Sequence, residues 1–470
     1  MPSQTDPSAD EAGHVAWLAA AARSLQGADP ESLVTHTAEG VEIRPLYDAA
    51  AAPERLRATA GWDIRASVRA SDPAAANALA HEALSGGATS LLLDGRAMAS
   101  AADMAQALDG VVLEAAPAAL DAGLAGPSAA EWLAEAARGS PAARLSLHLD
   151  PLSALAEVGQ SPGPIEAHIA RAAETAAFLA PAYPDATLFL ASGRAAHEAG
   201  GSPHQELGMM AAAAVAYLRA LGEAGAPPEG ALDRIVLGLA VDGQLLVSIA
   251  KLRAARRIWA RIAGVFGAEV PARIEARSSG RMLTAADPWT NLLRLTVAGF
   301  AGAVGGADAM VLGTYSDALG APAELARRLA RNTQLILAEE AHLGGVSDAM
   351  AGAWAIESLT DELARHGWSC FQAIERQGGL VAVLTSGLFA AEVAAVRAMR
   401  ETAVAEGTAP ILGVTRFPDP APLPVEVEPP PSVAPPLPEV RLPGPDSRCP
   451  PLAPIRVSDL AEQMLEDLEP

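Results

Sequence analysis

Residues 234–262 read RIVLGLAVDGQLLVSIAKLRAARRIWARI: a short run of Ile, Val and Leu turns at Asp-Gly and continues as an alanine-rich amphipathic stretch. The first part suits a strand and the second a helix over Gln244–Val265. The pair forms one strand–helix unit, and the chain repeats it. Runs of the first kind recur as WDIRASV from 62, TSLLLD from 89, GVVLEA from 110, RLSLHLD from 144, TLFLAS from 187, ARIEARSS from 272 and DAMVLGT from 308, which with residues 234–242 makes eight. Between them lie helix-like segments at Ala74–Leu84, Ala129–Ala137, Pro164–Leu179, Gln205–Leu221, Pro288–Val304 and Ala321–Glu340. Eight such units in alternation over roughly 280 residues predict a parallel (β/α)8 barrel of the TIM type across residues 61–345. The alternative is an open doubly wound sheet. No G-x-G-x-x-G follows the first strand, which counts against its dinucleotide-binding form.

Composition narrows the function classes. The chain has 470 residues, 50% of them hydrophobic and 19% charged, and a net charge of −23. An acidic body repels a phosphate backbone, so nucleic-acid binding is not expected. No apolar run reaches the roughly 20 residues of a membrane span, and the polar start MPSQTDPSADEAG has no signal-peptide core. A cytoplasmic protein without a membrane partner is expected. The two cysteines, Cys370 and Cys449, exclude a clustered cysteine metal site and suit a reducing compartment. The one basic cluster is the helix Lys251–Ile262, where Lys251, Arg253, Arg256, Arg257 and Arg261 alternate with Leu252, Ile258, Trp259 and Ile262. It reads as a solvated basic side opposite a buried apolar side, with contact to an anionic ligand or partner as the alternative.

Segments outside the barrel have their own signatures. Residues 1–60 form an N-terminal extension whose apolar residues (Trp17, Leu18, Leu25, Val41, Ile43, Leu46) are too few to bury a core alone and are expected to contact a partner. Residues 346–416 read as helices packed on the barrel. Residues 417–454 are so rich in proline that a mobile, extended linker is expected, and 455–470 suit a short acidic helix capped by Ser458. Within the strands, Ser67, Ser90, Ser146, His148 and Ser192 are small or polar at inward-capable positions, a hint of a wetter axis than branched apolar side chains would give.

Several separated motifs, in order, carry a resemblance. They are GWDIR from 61, DGQLLVSIAKLRAARRIWARI from 242, DPWTNLLR at Asp287–Arg294, Gly305–Gly306, ARNTQ at Ala330–Gln334, ESLT at Glu357–Thr360 and AIERQGG from 373. Over most of residues 14–417 the chain resembles the methylmalonyl-CoA mutase family. The resemblance implies a rearrangement exchanging methylmalonyl-CoA and succinyl-CoA with adenosylcobalamin, in a barrel that encloses the acyl-CoA along its axis and works with a separate C-terminal cobalamin-binding domain.

The family's catalytic positions are degenerate in this sequence. Catalytic members carry Ser-Gly-Tyr-His ahead of Glu-Ala-Gly. Here Ser192-Gly193 and Glu198-Ala199-Gly200 anchor the segment, Arg194 stands at the tyrosine and Ala195 at the histidine. His197 comes two residues late, about 6–7 Å along an extended chain, too far to replace a donor at a thioester. As a cobalt ligand it matches only the H-x-x-G half of D-x-H-x-x-G, since Ala195 stands where the aspartate belongs. PERLRATAGWDIR has no tyrosine in place of the family's T-M-Y, and Asp150–Gly159 replaces T-G-T-I-Q. Arg65, Ser192, His197, Asn332 and Gln334 are the candidate remnants of a substrate site. No metal-binding residue and no catalytic residue is assigned.

The resemblance is therefore to the small subunit of a heterodimeric mutase. It implies a large catalytic chain as partner, adenosylcobalamin held by that chain and not by this one alone, and acyl-CoA handled in the complex. Two other readings stay open: an active barrel that borrows a separate cobalamin-binding chain, and a stand-alone acyl-CoA-binding protein.

Overall fold

A strand pairs in parallel with its successor only through a crossover, and alanine-rich amphipathic helices supply those crossovers. The computed structural model describes residues 7–36, 40, 42–47, 61–95, 98–140, 142–227, 230–429 and 447–466. Its main strands are β1 (Asp63–Val68), β2 (Ser90–Leu93), β3 (Ala118–Leu120), β4 (Leu145–Leu149), β5 (Thr187–Ser192), β6 (Ile235–Val241), β7 (Arg273–Ser278) and β8 (Ala309–Val311). They close in chain order, with β8 beside β1 and every pairing parallel. The expected TIM-type barrel is present.

Seven of the eight strands fall on the expected runs; the third does not. GVVLEA is a succession of turns, with Val111 N–H bonded to Leu108 and Ala116 N–H to Val112. Gly110 there has φ +73°. The strand is Ala118–Leu120, a stretch with weak intrinsic β preference but with all three residues fully buried, so burial overrides propensity.

The helices are α1 (Pro7–Ser24), α2 (Pro73–Ser85), α3 (Ala101–Ala107), α4 (Gly126–Ala136), α5 (Pro151–Val158), α6 (Ile165–Leu179), α7 (Arg194–Glu198), α8 (Pro203–Glu223), α9 (Leu245–Val265), α10 (Asn291–Gly305), α11 (Glu324–Leu335), α12 (Trp354–Arg376), α13 (Leu380–Thr385), α14 (Leu388–Ala405) and α15 (Asp459–Glu466). Outward strand residues such as Ile274, Ala276, Leu237 and Leu239 join the inner faces of these helices in one apolar core, and α12 packs across α8 and α9. Among the described residues no helix is long and apolar enough to cross a membrane.

The expected mobile linker is corrected at both of its described ends. Val427–Glu428 pairs antiparallel with Ala321–Pro322. From Ser447 the chain runs along the loops that follow β4, β5 and β7: Cys449 N–H bonds Gly159 O (3.0 Å), Leu452 N–H bonds Ala156 O (2.7 Å), Ile455 N–H bonds Glu198 O (2.8 Å) and Val457 N–H bonds Arg281 O (2.9 Å). Cys449, Leu452, Ser458 and Ala461 are buried. Proline forbids helix and central strand, but it leaves enough donors for a seated extended strap. Ser458, expected as a cap, donates its hydroxyl to Leu283 O. Residues 430–446 and Val41 lie outside the described residues.

Candidate functional site

In a barrel, alternate strand residues point to the axis. On β7 those are Glu275 and Arg277, with Ile274 and Ala276 on the outer face. Arg277 Nε bonds Glu275 (2.7 Å), and its Nη1 reaches Asp121, at the end of β3 on the opposite side of the barrel (2.9 Å). Arg65 from β1 pairs with Glu275 across β8 and bonds Ser90 Oγ on β2 (3.2 Å). His148 from β4 brings Nε2 to 3.8 Å from Glu275. A separate apolar set, Leu92, Ala119 and Val311, comes from β2, β3 and β8. The axis is thus crossed by buried ion pairs, and the hint carried by Ser90 and His148 resolves as polar filling.

The electrostatics follow from this packing. Burial alone would raise the Glu275 carboxyl, but Arg277, His148 and Arg65 outweigh it and hold it far below the usual carboxylate range. Burial pushes the His148 imidazole down to about 4, so the ring is neutral. Both of its nitrogens are buried without a hydrogen-bond partner, and its backbone is left-handed (φ +46°) where the β4–β5 register shifts.

His197 sits elsewhere. Gly193 lets the chain turn tightly after β5, since a Cβ there would lie 2.0 Å from the Glu206 carbonyl oxygen. The turn starts α7, which places Ala195 and Ala196 in the main core and His197 between α8 and α9 at 2% exposure. Its Nδ1 lies 3.0 Å from Glu206, which also takes Lys251 Nζ at 2.5 Å and Ala240 N–H at 2.6 Å. Its Nε2 lies 3.6 Å from Asp242, which Arg281 engages at 3.0 Å. Burial, with Arg281 and Lys251 near, lowers the His197 pKa. Glu206 is lowered to about 2, because Lys251 and His197 outweigh the cost of burial.

The candidate remnants do not converge. Ser192 ends β5 and accepts Arg194 N–H (3.2 Å), whereas Gln334 on α11 accepts Trp62 Nε1–H (3.2 Å) just before β1, at the opposite end of the barrel. Asn332 is half-buried on the same outer helix and Arg65 lies in the axis. Arg194 is half-buried, with Nε lacking a partner. The solvated basic side expected for residues 251–262 is also corrected. Lys251 and Arg253 are buried, Arg253 pairs with Asp348 (2.8 Å) and Glu357, and Arg256 pairs with Asp308 (2.8 Å). Sequence reading missed Glu275, Arg277, Asp121, Glu206, Asp242 and Arg281. The signal for the first two was present in ARIEARSS, as charges at every second residue of a strand.

Comparison with known proteins matches residues 93–433 to methylmalonyl-CoA mutase. A methylmalonyl-CoA mutase small subunit from Streptomyces virginiae is 41% identical over 438 residues, 87% of this chain and 70% of that protein. The small subunit from Propionibacterium freudenreichii subsp. shermanii is 32% identical over 411 residues, 82% of this chain and 64% of that protein. A Cereibacter sphaeroides protein named methylmalonyl-CoA mutase is 29% identical over 452 residues, covering 86% of this chain and 64% of its own length. With the barrel, the ordered motifs and these matches in agreement, the chain belongs to the methylmalonyl-CoA mutase family.

Proposed function

We propose that this chain is the small, catalytically inactive subunit of a heterodimeric methylmalonyl-CoA mutase, whose large chain binds adenosylcobalamin and converts methylmalonyl-CoA to succinyl-CoA. The observation that carries the reading is the filled axis: Arg65, Glu275 and Arg277 lie buried where a substrate would have to thread. Removing one member of such a network costs about 3–5 kcal/mol, so a ligand cannot displace them cheaply. The alternative of an active barrel with a borrowed cofactor chain needs a donor at the thioester, and Ala195 is a buried methyl group. A stand-alone acyl-CoA binder needs an open axis.

The residues present do not fit a cobalamin site of their own. His197, the one histidine with half of the motif, is buried among Glu206, Lys251 and Asp242, with Nδ1 against Glu206 and Nε2 facing Asp242, so neither nitrogen opens onto a space that would take a corrin. Support for a partner comes from the first part of the N-terminal extension, where no described residue between 13 and 36 is buried, whereas Ile43, expected at a partner, packs with Tyr47 against the chain's own core. The decisive assay is turnover of methylmalonyl-CoA with added adenosylcobalamin. The chain alone should be inactive, and its addition to a catalytic large chain should yield one stable heterodimer with activity. Turnover by the isolated chain would overturn the proposal, as would a chain that stays monomeric beside the large one.

A further inference from the structure

The open groove between α9 and α12 is lined by Arg257, Arg261, Arg365, His366, Trp368 and Asp361 and borders about 530 Å³. That volume suits a small molecule. Its floor is neutralised, since Glu357 is shared by Arg253 and Arg257. Asp361 is taken by Arg257 at 3.1 Å and lies 3.7 Å from Arg365, whose side chain is 67% exposed. Arg261 pairs with no carboxylate among the described residues. Its guanidinium lies over the Trp368 ring, 4.2 Å from the centroid, and the ring is held in turn by Phe371 at 5.0 Å. Stacking fixes the plane of the guanidinium and leaves its N–H edge free. Trp368 Nε1 is buried with no hydrogen-bond partner, a donor that costs about 1–3 kcal/mol while unsatisfied. In a chain of net charge −23, this groove holds a surplus cation stacked on a held aromatic ring beside a second arginine.

We infer that the α9–α12 groove binds a phosphoryl-bearing small molecule of nucleotide size, with Arg261 and Arg365 gripping the phosphoryl oxygens. Phosphoryl groups suit this lining because guanidinium edges bond them in bidentate fashion and their several oxygens accept from donors on more than one side. The site is separate from the barrel axis and does not depend on the subunit reading.

Calorimetric titration of the full chain at constant ionic strength, with inorganic pyrophosphate, ADP and sulfate in turn, tests the assignment. Pyrophosphate and ADP should bind with a Kd of about 1 mM or tighter and sulfate about tenfold more weakly. Arg261→Gln combined with Arg365→Gln should weaken both phosphoryl ligands about tenfold or more, with circular dichroism and Tm unchanged. Trp368→Leu removes the ring that orients the Arg261 guanidinium and should weaken binding about threefold. Sulfate binding equal to pyrophosphate marks an adventitious ion only, unchanged affinity in the double variant places the ligand elsewhere, and no heat with either phosphoryl ligand leaves the groove without this role. Each of those three outcomes overturns the inference.

Discussion

The N-terminal extension and the C-terminal tail both lie outside the barrel, and each meets it in the way the other's composition suggests. The extension carries an 18-residue helix and apolar side chains, yet Trp17, Leu18 and Leu25 are only half-covered and Val15 is 61% exposed. The tail is rich in proline and acid, yet it buries Leu452 to 3% exposure and bonds its backbone to the segments that follow β4, β5 and β7. Apolar spacing reports that a segment has a face to bury, and it does not say in which molecule. Proline richness reports that a segment forms no helix, and it does not say that the segment is free.

Truncation after residue 446 is the strongest way to break this contrast. It removes the buried Cys449, Leu452 and Ala461 together with their backbone bonds. A buried leucine alone is worth about 2 kcal/mol, so a net loss of about 3–4 kcal/mol is expected after the ordering cost of the strap is returned. Urea unfolding measures it, and a loss within error would restore the mobile linker. Deleting residues 1–36 should leave the isolated chain within about 0.5 kcal/mol of the full one, because nothing described from 13 to 36 is buried. If the proposed heterodimer forms, the same deletion should weaken association with its large chain about 30- to 100-fold, or about 2–3 kcal/mol, as read by analytical ultracentrifugation. Unchanged association would remove the extension from the interface.

A smaller effect separates the strap's charged anchor from its apolar ones. Glu462 accepts Ala285 N–H at 2.7 Å and Ala286 N–H at 3.2 Å, and it pairs with Arg456 at 3.0 Å. Glu462→Gln should cost about 1.5 kcal/mol, the worth of a charge-assisted bond partly shielded from water. A cost within error would mean that Leu452 and Cys449 seat the strap by themselves.

The legible parts of the molecule were those written in periodicity. Seven strand runs and the long helices announce themselves because each buries a continuous face; Ala118–Leu120 does not, since two alanines and a single leucine depend on their neighbours for burial. The turn that carries Arg194 and Ala195 was readable because Gly193 and Gly200 bracket it, and on the proposed reading it is the remnant of a lost site. The charge network was harder to read: Arg277 and Asp121 are 156 positions apart and meet only when β3 and β7 face each other across a closed barrel. Lys251 illustrates the same limit, since on a helical wheel it belongs to a basic face, and only Glu206, contributed by α8, makes its burial tolerable.

The tail's seat also contains a proton-binding site, which gives the finest test. Cys449 and Leu452 dock on α5, whose N-terminus is capped by Asp150: its carboxylate accepts Ser153 N–H at 3.1 Å and the Tyr217 hydroxyl at 2.5 Å. Burial pushes the Asp150 carboxyl up to about 7, against the pull of Tyr217 and Ser153 and with a small push from Glu157. The folded chain therefore holds this proton more tightly than the unfolded chain, where an aspartate titrates near pH 4. The resulting stability is complete below about pH 4 and is lost as pH rises through about 7. Glu206, lowered to about 2, acts in a different window, its contribution being lost only as pH falls through about 2. Asp150→Asn keeps a neutral acceptor for both donors and removes the titration. Its stability relative to the wild type should rise by about 1 kcal/mol between pH 6 and pH 7. Over the same range, hydrogen exchange at the Leu452 amide, bonded to Ala156 on α5, should speed up in the wild type relative to the variant. A difference that stays flat from pH 5 to pH 8 would place the Asp150 pKa back in the ordinary carboxylate range and leave the strap's seat insensitive to protons.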